Sequence, residues 1–382
     1  MKNIAIFGSH AGHNAGDDAI LENILKDVSE LIPDVRFFIL VGRPQLYRKH
    51  FTDYNITWLP LGRRYLSIKF FGWQPFYALC KCEMIFLTQN MFFDYKMSDR
   101  SFNVLRDWSF QIRLAKKLAK KIVGYNIGYG PIRTDKGRRL AKEILSCADF
   151  ISFREHEGER ELKETLKIDW VETFLSADPA INNQSLKTKE VVDFCESTGF
   201  RSDLPYVCLN ANEYIGDKSI TNSDVTKHDY ENAFVEIGKK LVEEGKTILV
   251  IATCFGDITL TKKIASRIGN SAFVITNKNF SHKEITWFLE ESELLIGTRM
   301  HACVMSAAVN TPIISINYVP KVRHFMGLLG LSEYSFEPSD FNCEKVFPMV
   351  TKALNSNPID SKRLQELKAL AKVPARKVKE LF

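Results

Sequence analysis

The sequence lacks any run close to the eighteen or so uninterrupted apolar residues that a membrane-spanning helix requires. Its opening residues go directly into a strand-like segment, Lys2 to Phe7, with neither the apolar h-region of a signal peptide nor a transit-peptide pattern. A cytoplasmic protein is therefore expected, resting at most on the inner face of the plasma membrane. Zinc-type cysteine spacing is missing too. The eight cysteines, at 80, 82, 147, 195, 208, 254, 303 and 343, form no CxxC pair and mostly sit in apolar runs, so reduced interior thiols are expected. Internal repeats and low-complexity tracts are absent. Charge of one sign is only slightly in excess, with 52 basic and 46 acidic side chains giving a net +6. That excess suits an anionic substrate or a weak attraction to acidic lipid, and is too small to imply nucleic acid. Neither a single-strand-binding pattern nor a zinc finger is present, so no nucleic-acid partner is expected.

What the chain does have is material for a large fold. At 382 residues it exceeds what one hydrophobic core usually fills, and 45% of it is hydrophobic. Short apolar runs alternate with longer amphipathic stretches from end to end, the pattern of parallel sheets flanked by helices. Strands are expected near 2–8, 35–42, 82–88, 121–128 and 150–154, with helices at 19–31, 102–120 and 136–147. A polar stretch at about 180–204 interrupts the alternation, which then restarts at 206–210 and continues to the strand at 312–317. The fold class expected is α/β, with two doubly wound Rossmann-like domains facing a cleft. The divisions are 1–190, 191–335 and a helical 336–382 that crosses back onto the first domain. One segment, Arg63 to Tyr77, mixes basic and aromatic residues. It reads either as a helix packed on a sheet or as an interfacial helix touching a membrane or a lipid-linked acceptor.

Two constellations carry chemistry. In the first, an apolar strand ends at Gly297, a turn presents Arg299 and His301, and a helix begins at about Ala302. Free N–H groups and the positive helix end favour an anion there. Arginine adds a planar fork that fits carboxylate or phosphate. The next strand ends at Asn317 and Tyr318 and delivers Lys321 to the same sheet edge. The second constellation follows the first strand, Gly8-Ser9-His10-Ala11-Gly12-His13-Asn14-Ala15-Gly16-Asp17-Asp18. Its glycines allow close backbone approach, and Asn14 and Asp17 suit helix capping. The spacing matches neither GxGxxG nor a Walker loop. A carboxylate there suits a sugar hydroxyl, as acceptor or general base. No metal is expected: the acids form no DxD pair, and a site from His10, His13 and Asp17 on a glycine loop is a weak idea.

Taken in order, Asn14-x-Gly16-Asp17-x-Ala19-Ile20, Gly128-x-Gly130-Pro131, Ile151-Ser152-Phe153-Arg154-Glu155, Asp178-Pro179-Ala180, Gly297-x-Arg299-x-His301-Ala302, Pro312-Ile313 and Tyr318-x-x-Lys321 resemble the polysaccharide pyruvyl transferase family. The resemblance runs over roughly residues 3 to 330. It implies a fold like that of GT-B glycosyltransferases, phosphoenolpyruvate as donor with no further cofactor, and a ketal-pyruvylated saccharide as product. Arg299 and His301 would be donor-site residues. On this reading His301 and Asp17 are the expected catalytic pair, and Arg299, Lys321, Asn14, Gly16, Tyr318 and Asp94 contact substrates. Where such proteins often carry a glycine triplet followed by aspartate, this chain has Gln89-Asn90-Met91 and then Asp94, which restricts backbone approach and points to a different acceptor or altered function. Two alternatives stay open: a GT-B glycosyltransferase using a nucleotide sugar, and a non-catalytic saccharide-binding protein on the same scaffold.

Overall fold

A computed structural model describes residues 2–8, 12–42, 44–47, 50–60, 73–89, 92–94, 105–216 and 225–382. The chain forms two compact units. The first comprises Met1–Gly12, Ile20–Pro179 and Leu367–Phe382, and the second His13–Ala19 and Ala180–Glu366. The changeovers thus fall at 179/180 and 366/367, not at the expected 190/191 and 335/336. The short segment His13–Ala19 groups with the second unit although it lies near the start of the chain.

The first unit is built on a parallel sheet of seven strands: β1 (Lys2–Phe7), β2 (Val35–Val41), β3 (Ile56–Pro60), β4 (Met84–Thr88), β5 (Lys121–Ile127), β6 (Phe150–Phe153) and β7 (Glu172–Leu175). Their order is β3-β2-β1-β4-β5-β6-β7. The central strands read as continuous apolar runs because helices cover both faces of a parallel sheet. On one face Ala5, Phe7, Phe38, Leu40, Ile85 and Leu87 share a core with the inner sides of three helices, Trp73–Lys81, Leu105–Lys117 and Asp135–Leu145. Phe7 stacks on Trp108 there, with ring centroids 4.7 Å apart.

The second unit repeats the plan with β8 (Tyr206–Asn210), β9 (Thr247–Ala252), β10 (Ala272–Thr276), β11 (Leu294–Gly297), β12 (Ile313–Ile316) and β13 (Ser335–Phe336). They pair in parallel in the order β10-β9-β8-β11-β12-β13. Gly297 at the end of β11 lies beside Asn210 of β8 and Ser315 of β12, and Leu209 lies beside Val250 of β9. The segments that leave β8, β9, β11 and β12 therefore emerge along one edge. In both sheets the order reverses beside the first strand, the position at which such folds bind ligands.

Strands β3, β7 and β13 were not expected. They lie toward the sheet margins and are short or interrupted by polar residues and proline, so their apolar signal is weak. The cysteines meet the expected interior placement only in part, since Cys147, Cys195, Cys254 and Cys343 are half-buried. Cys82, Cys208 and Cys303 are buried, which pushes each thiol up to about 12, whereas Cys80 is exposed. Among the described residues no helix is long and apolar enough to cross a membrane.

Candidate functional site

At the carboxyl edge of the second sheet, the exit from β11 is fixed from below. Asn210, buried at the end of β8, accepts from the Arg299 amide at 3.0 Å and donates to the Ile251 carbonyl at 2.8 Å. The Thr298 amide bonds the Asn210 carbonyl at 2.8 Å, and the Thr298 hydroxyl lies 2.6 Å from that of Tyr230. With its backbone held at both residues, the chain turns into the Met300–Ala308 helix, for which Arg299 is the N-cap without a side-chain capping bond.

Arg299 has an acidic partner that the sequence did not reveal. Its Nε and Nη2 donate to the two oxygens of Asp257, each at 2.7 Å, and the Asp257 side chain is fully buried. Asp257 also accepts from the Glu213 amide at 3.0 Å. The guanidinium lies over the Tyr214 ring, 4.7 Å from its centroid. Burial opposes the charge on Arg299, but the hydrogen bonds to Asp257 and the neighbouring Tyr318 outweigh it, so its pKa is held above the ordinary value. Burial pushes the Tyr318 phenol up, with Arg299 opposing. The pair with Asp257 uses two of the five N–H donors that a guanidinium carries. A further side-chain hydrogen bond joins Arg299 to Tyr318.

The segment that begins the Ala15–Leu31 helix is stitched to the exit of β9. Ala15 donates to the Thr253 carbonyl at 2.8 Å, Phe255 donates to the His13 carbonyl at 3.0 Å, and Asn14 bridges Cys254. Asn277 adds a bond to the His13 carbonyl at 2.9 Å. This brings Gly16 against His301: a Cβ built on Gly16 would fall 2.1 Å from the His301 Cγ and 2.3 Å from its Nδ1. Two motifs 285 positions apart in the chain thus meet, glycine being the one residue that leaves room for the ring. Asp17 stands in the first turn of its helix. The Cys254 thiol is pushed up mainly by burial; Arg299 opposes the shift, while Asp257 and Asp17 add to it, so those three charged groups lie around one neutral thiol.

Other expected residues serve the backbone. The Asn14 side chain accepts from the Gly16 amide at 3.0 Å, a helix-capping bond rather than an open contact. Asp94 belongs to the first unit, where one oxygen accepts from the amides of Arg133 and Thr134 at 2.8 and 2.5 Å. Lys321 lies in the first turn of the Pro320–Leu328 helix, beyond β12 on the same edge as Arg299. The middle motifs form an interior ion cluster of the first unit. Arg154 bonds Asp178 at 2.6 Å and approaches Glu155 at 3.3 Å, all nearly fully buried, and a Cβ on Gly128 would strike Arg154 at 2.5 Å. His10, Asn90 and Met91 lie outside the described residues. Among those described, no group of three or more His, Cys, Asp or Glu could hold a metal ion.

Asp257, Asn210 and Tyr214 were missed by the sequence reading. Their one available signal was position, since each closely follows or ends a buried strand that neighbours β11 or lies one further away.

Residues 14–319 match the family model described as polysaccharide pyruvyl transferase. The amylovoran biosynthesis protein AmsJ of Erwinia amylovora is 25% identical over 238 residues, covering 59% of this chain and 56% of that protein. The chain therefore matches little more than half the length of that relative. Among solved structures, UDP-GlcNAc 2-epimerase from Methanocaldococcus jannaschii superposes with a TM-score of 0.65 at 15% identity, covering 100% of this chain and 99% of that one. E. coli ADP-heptose LPS heptosyltransferase II gives 0.54 at 11% identity, over 93% and 99% of the two chains. At such identities the likeness is one of fold, the GT-B-like pairing of two parallel-sheet α/β domains.

Proposed function

The chain belongs to the polysaccharide pyruvyl transferase family, and from that premise we propose that it transfers a pyruvyl group from phosphoenolpyruvate to two hydroxyls of a saccharide, forming a ketal in cell-surface polysaccharide synthesis. The observation that carries this reading is the abutment of Gly16 on His301, which joins the Asn-x-Gly-Asp and Arg-x-His motifs into one site. The amylovoran-synthesis relative supports a saccharide acceptor.

Phosphoenolpyruvate bears a carboxylate and a phosphate on one small enol, so it calls for clustered donors. In this mechanism the amino end of the Met300–Ala308 helix, the Arg299 donors outside the Asp257 pair, and Lys321 receive those anions. His301 protonates the methylene carbon, C2 gains positive character, and a saccharide hydroxyl attacks it while Asp17 accepts the hydroxyl proton. Phosphate leaves with the C–O bonding pair, and a second hydroxyl closes the ketal. Asp17 passes the first hydroxyl proton to the departing phosphate, and the proton of the second hydroxyl restores His301.

The test is to incubate the protein with phosphoenolpyruvate and candidate acceptors, following inorganic phosphate and product mass. His301→Ala is expected to lower turnover by about 10² to 10⁴ while circular dichroism is unchanged. Phosphate release at the parent rate would refute the role. In thermal shift, phosphoenolpyruvate should raise the midpoint. Stabilisation by UDP alone would favour a nucleotide-sugar glycosyltransferase.

A further inference from the structure

The net charge of the chain conceals a strong asymmetry. Residues 61–145 hold 17 lysines and arginines against 6 aspartates and glutamates, whereas the rest of the chain holds 35 against 40. This window spans the three helices that cover one face of the first sheet, and the middle one, Leu105–Lys117, touches both of its neighbours. Their inner sides are committed to the core, and each helix leaves exposed residues on its outer side.

These outer sides are both cationic and aromatic. On the Trp73–Lys81 helix, Pro75, Ala78 and Leu79 are buried while Trp73 is 73% and Phe76 42% exposed, with ring centroids 6.3 Å apart. On Leu105–Lys117 the exposed residues Arg106, Phe110, Arg113 and Lys117 recur at helical spacing along one stripe. Arg113 is 3.8 Å from Glu143, a pair half open to solvent and weak for that reason. The outer side of Asp135–Leu145 adds further exposed cations. Exposed aromatics such as Trp73 and Phe76 beside clustered positive charge are the composition of a surface that rests in a headgroup layer, with rings at the acyl boundary and cations among anionic lipids.

We propose that the outer face of this helix layer docks on a membrane rich in anionic phospholipid, which would hold the protein where lipid-linked saccharides are found. Charge complementarity argues for this occupant. Nucleic acid is the poorer fit, because Trp73 and Phe76 pair with each other on one helix, whereas strand binding calls for rings on which successive bases stack.

The full chain should be sedimented with vesicles of phosphatidylcholine alone and with vesicles containing about 30 mol% phosphatidylglycerol. Binding is expected only to the anionic vesicles, falling as salt is raised. It should drop at least about tenfold in the double variant Arg113→Glu/Lys117→Glu. Trp73→Ser should remove a blue shift in tryptophan emission on binding. All three side chains are exposed, and unchanged thermal midpoints would verify folding. Equal binding to neutral vesicles, no binding to anionic ones, undiminished binding by the double variant, or tighter binding to an RNA oligomer than to anionic vesicles at the same salt would each overturn the proposal. None of these readouts depends on pyruvyl transfer.

Discussion

Gly16 lies in the first turn of a helix, where alanine is the better helix former by about 1 kcal/mol, yet a methyl group there would overlap the His301 ring. Gly16→Ala is therefore expected to keep the helix and displace the imidazole. Circular dichroism should be unchanged while kcat falls at least about 100-fold, the scale of a misplaced acid. Parent-like turnover would mean that the ring does not need this seat. Arg299 and His301 were legible in the sequence because both follow one buried apolar strand within four residues. Asp257 was not, since its place beside Arg299, 42 positions away, comes from the register of neighbouring strands, which no local pattern encodes. Asn14 caps its helix, as its residue type suggested, while the backbone bonds of Asp94 had no signal in the sequence. Short polar side chains bond nearby backbone amides as readily as ligands, and here both do.

The elements that were clear in the sequence are those with strong periodicity or long apolar runs. The strand Tyr206–Asn210 and the strand ending at Gly297 occur as expected. Boundaries depended on caps: the first helix starts at Ala15 and not at the expected 19 because Asn14 supplies the cap. A fuller cap opens the His282–Glu290 helix, where Ser281 accepts from the Glu284 amide and Glu284 accepts from the Ser281 amide at 2.7 Å. The Glu284 carboxylate also holds the hydroxyl of Thr188, itself the N-cap of the Lys189–Thr198 helix. Ser281→Ala should lower stability by about 1 kcal/mol in urea unfolding and leave phosphate release unaltered. A loss well above that would show the two caps to be cooperative.

For the whole molecule, the two sheets were legible as two blocks of alternating pattern, while the grouping of His13–Ala19 with the second unit was not, being a matter of long-range contact alone. Stability should carry a pH signature from Asp27, 3% exposed and 3.8 Å from Lys372. Burial, partly offset by Lys372, pushes its carboxyl from 3.8 to about 6. The folded chain thus binds that proton more tightly than the unfolded one. The stability this contributes is present below about pH 4 and is lost as pH rises through about 6. Asp27→Asn should accordingly be more stable than the parent by about 2 to 3 kcal/mol at pH 7 and close to it near pH 4, as read from denaturant midpoints at the two values. An equal gain at both would exclude titration of this group as the cause.

Asp257 beneath Arg299 has one further consequence. A bare guanidinium collects whatever spectator ions the cell interior offers, chloride foremost, and each must be expelled before a metabolite can enter. Here an internal counterion already occupies that role, so under the proposed function selectivity would rest on hydrogen-bond geometry and not on crude attraction.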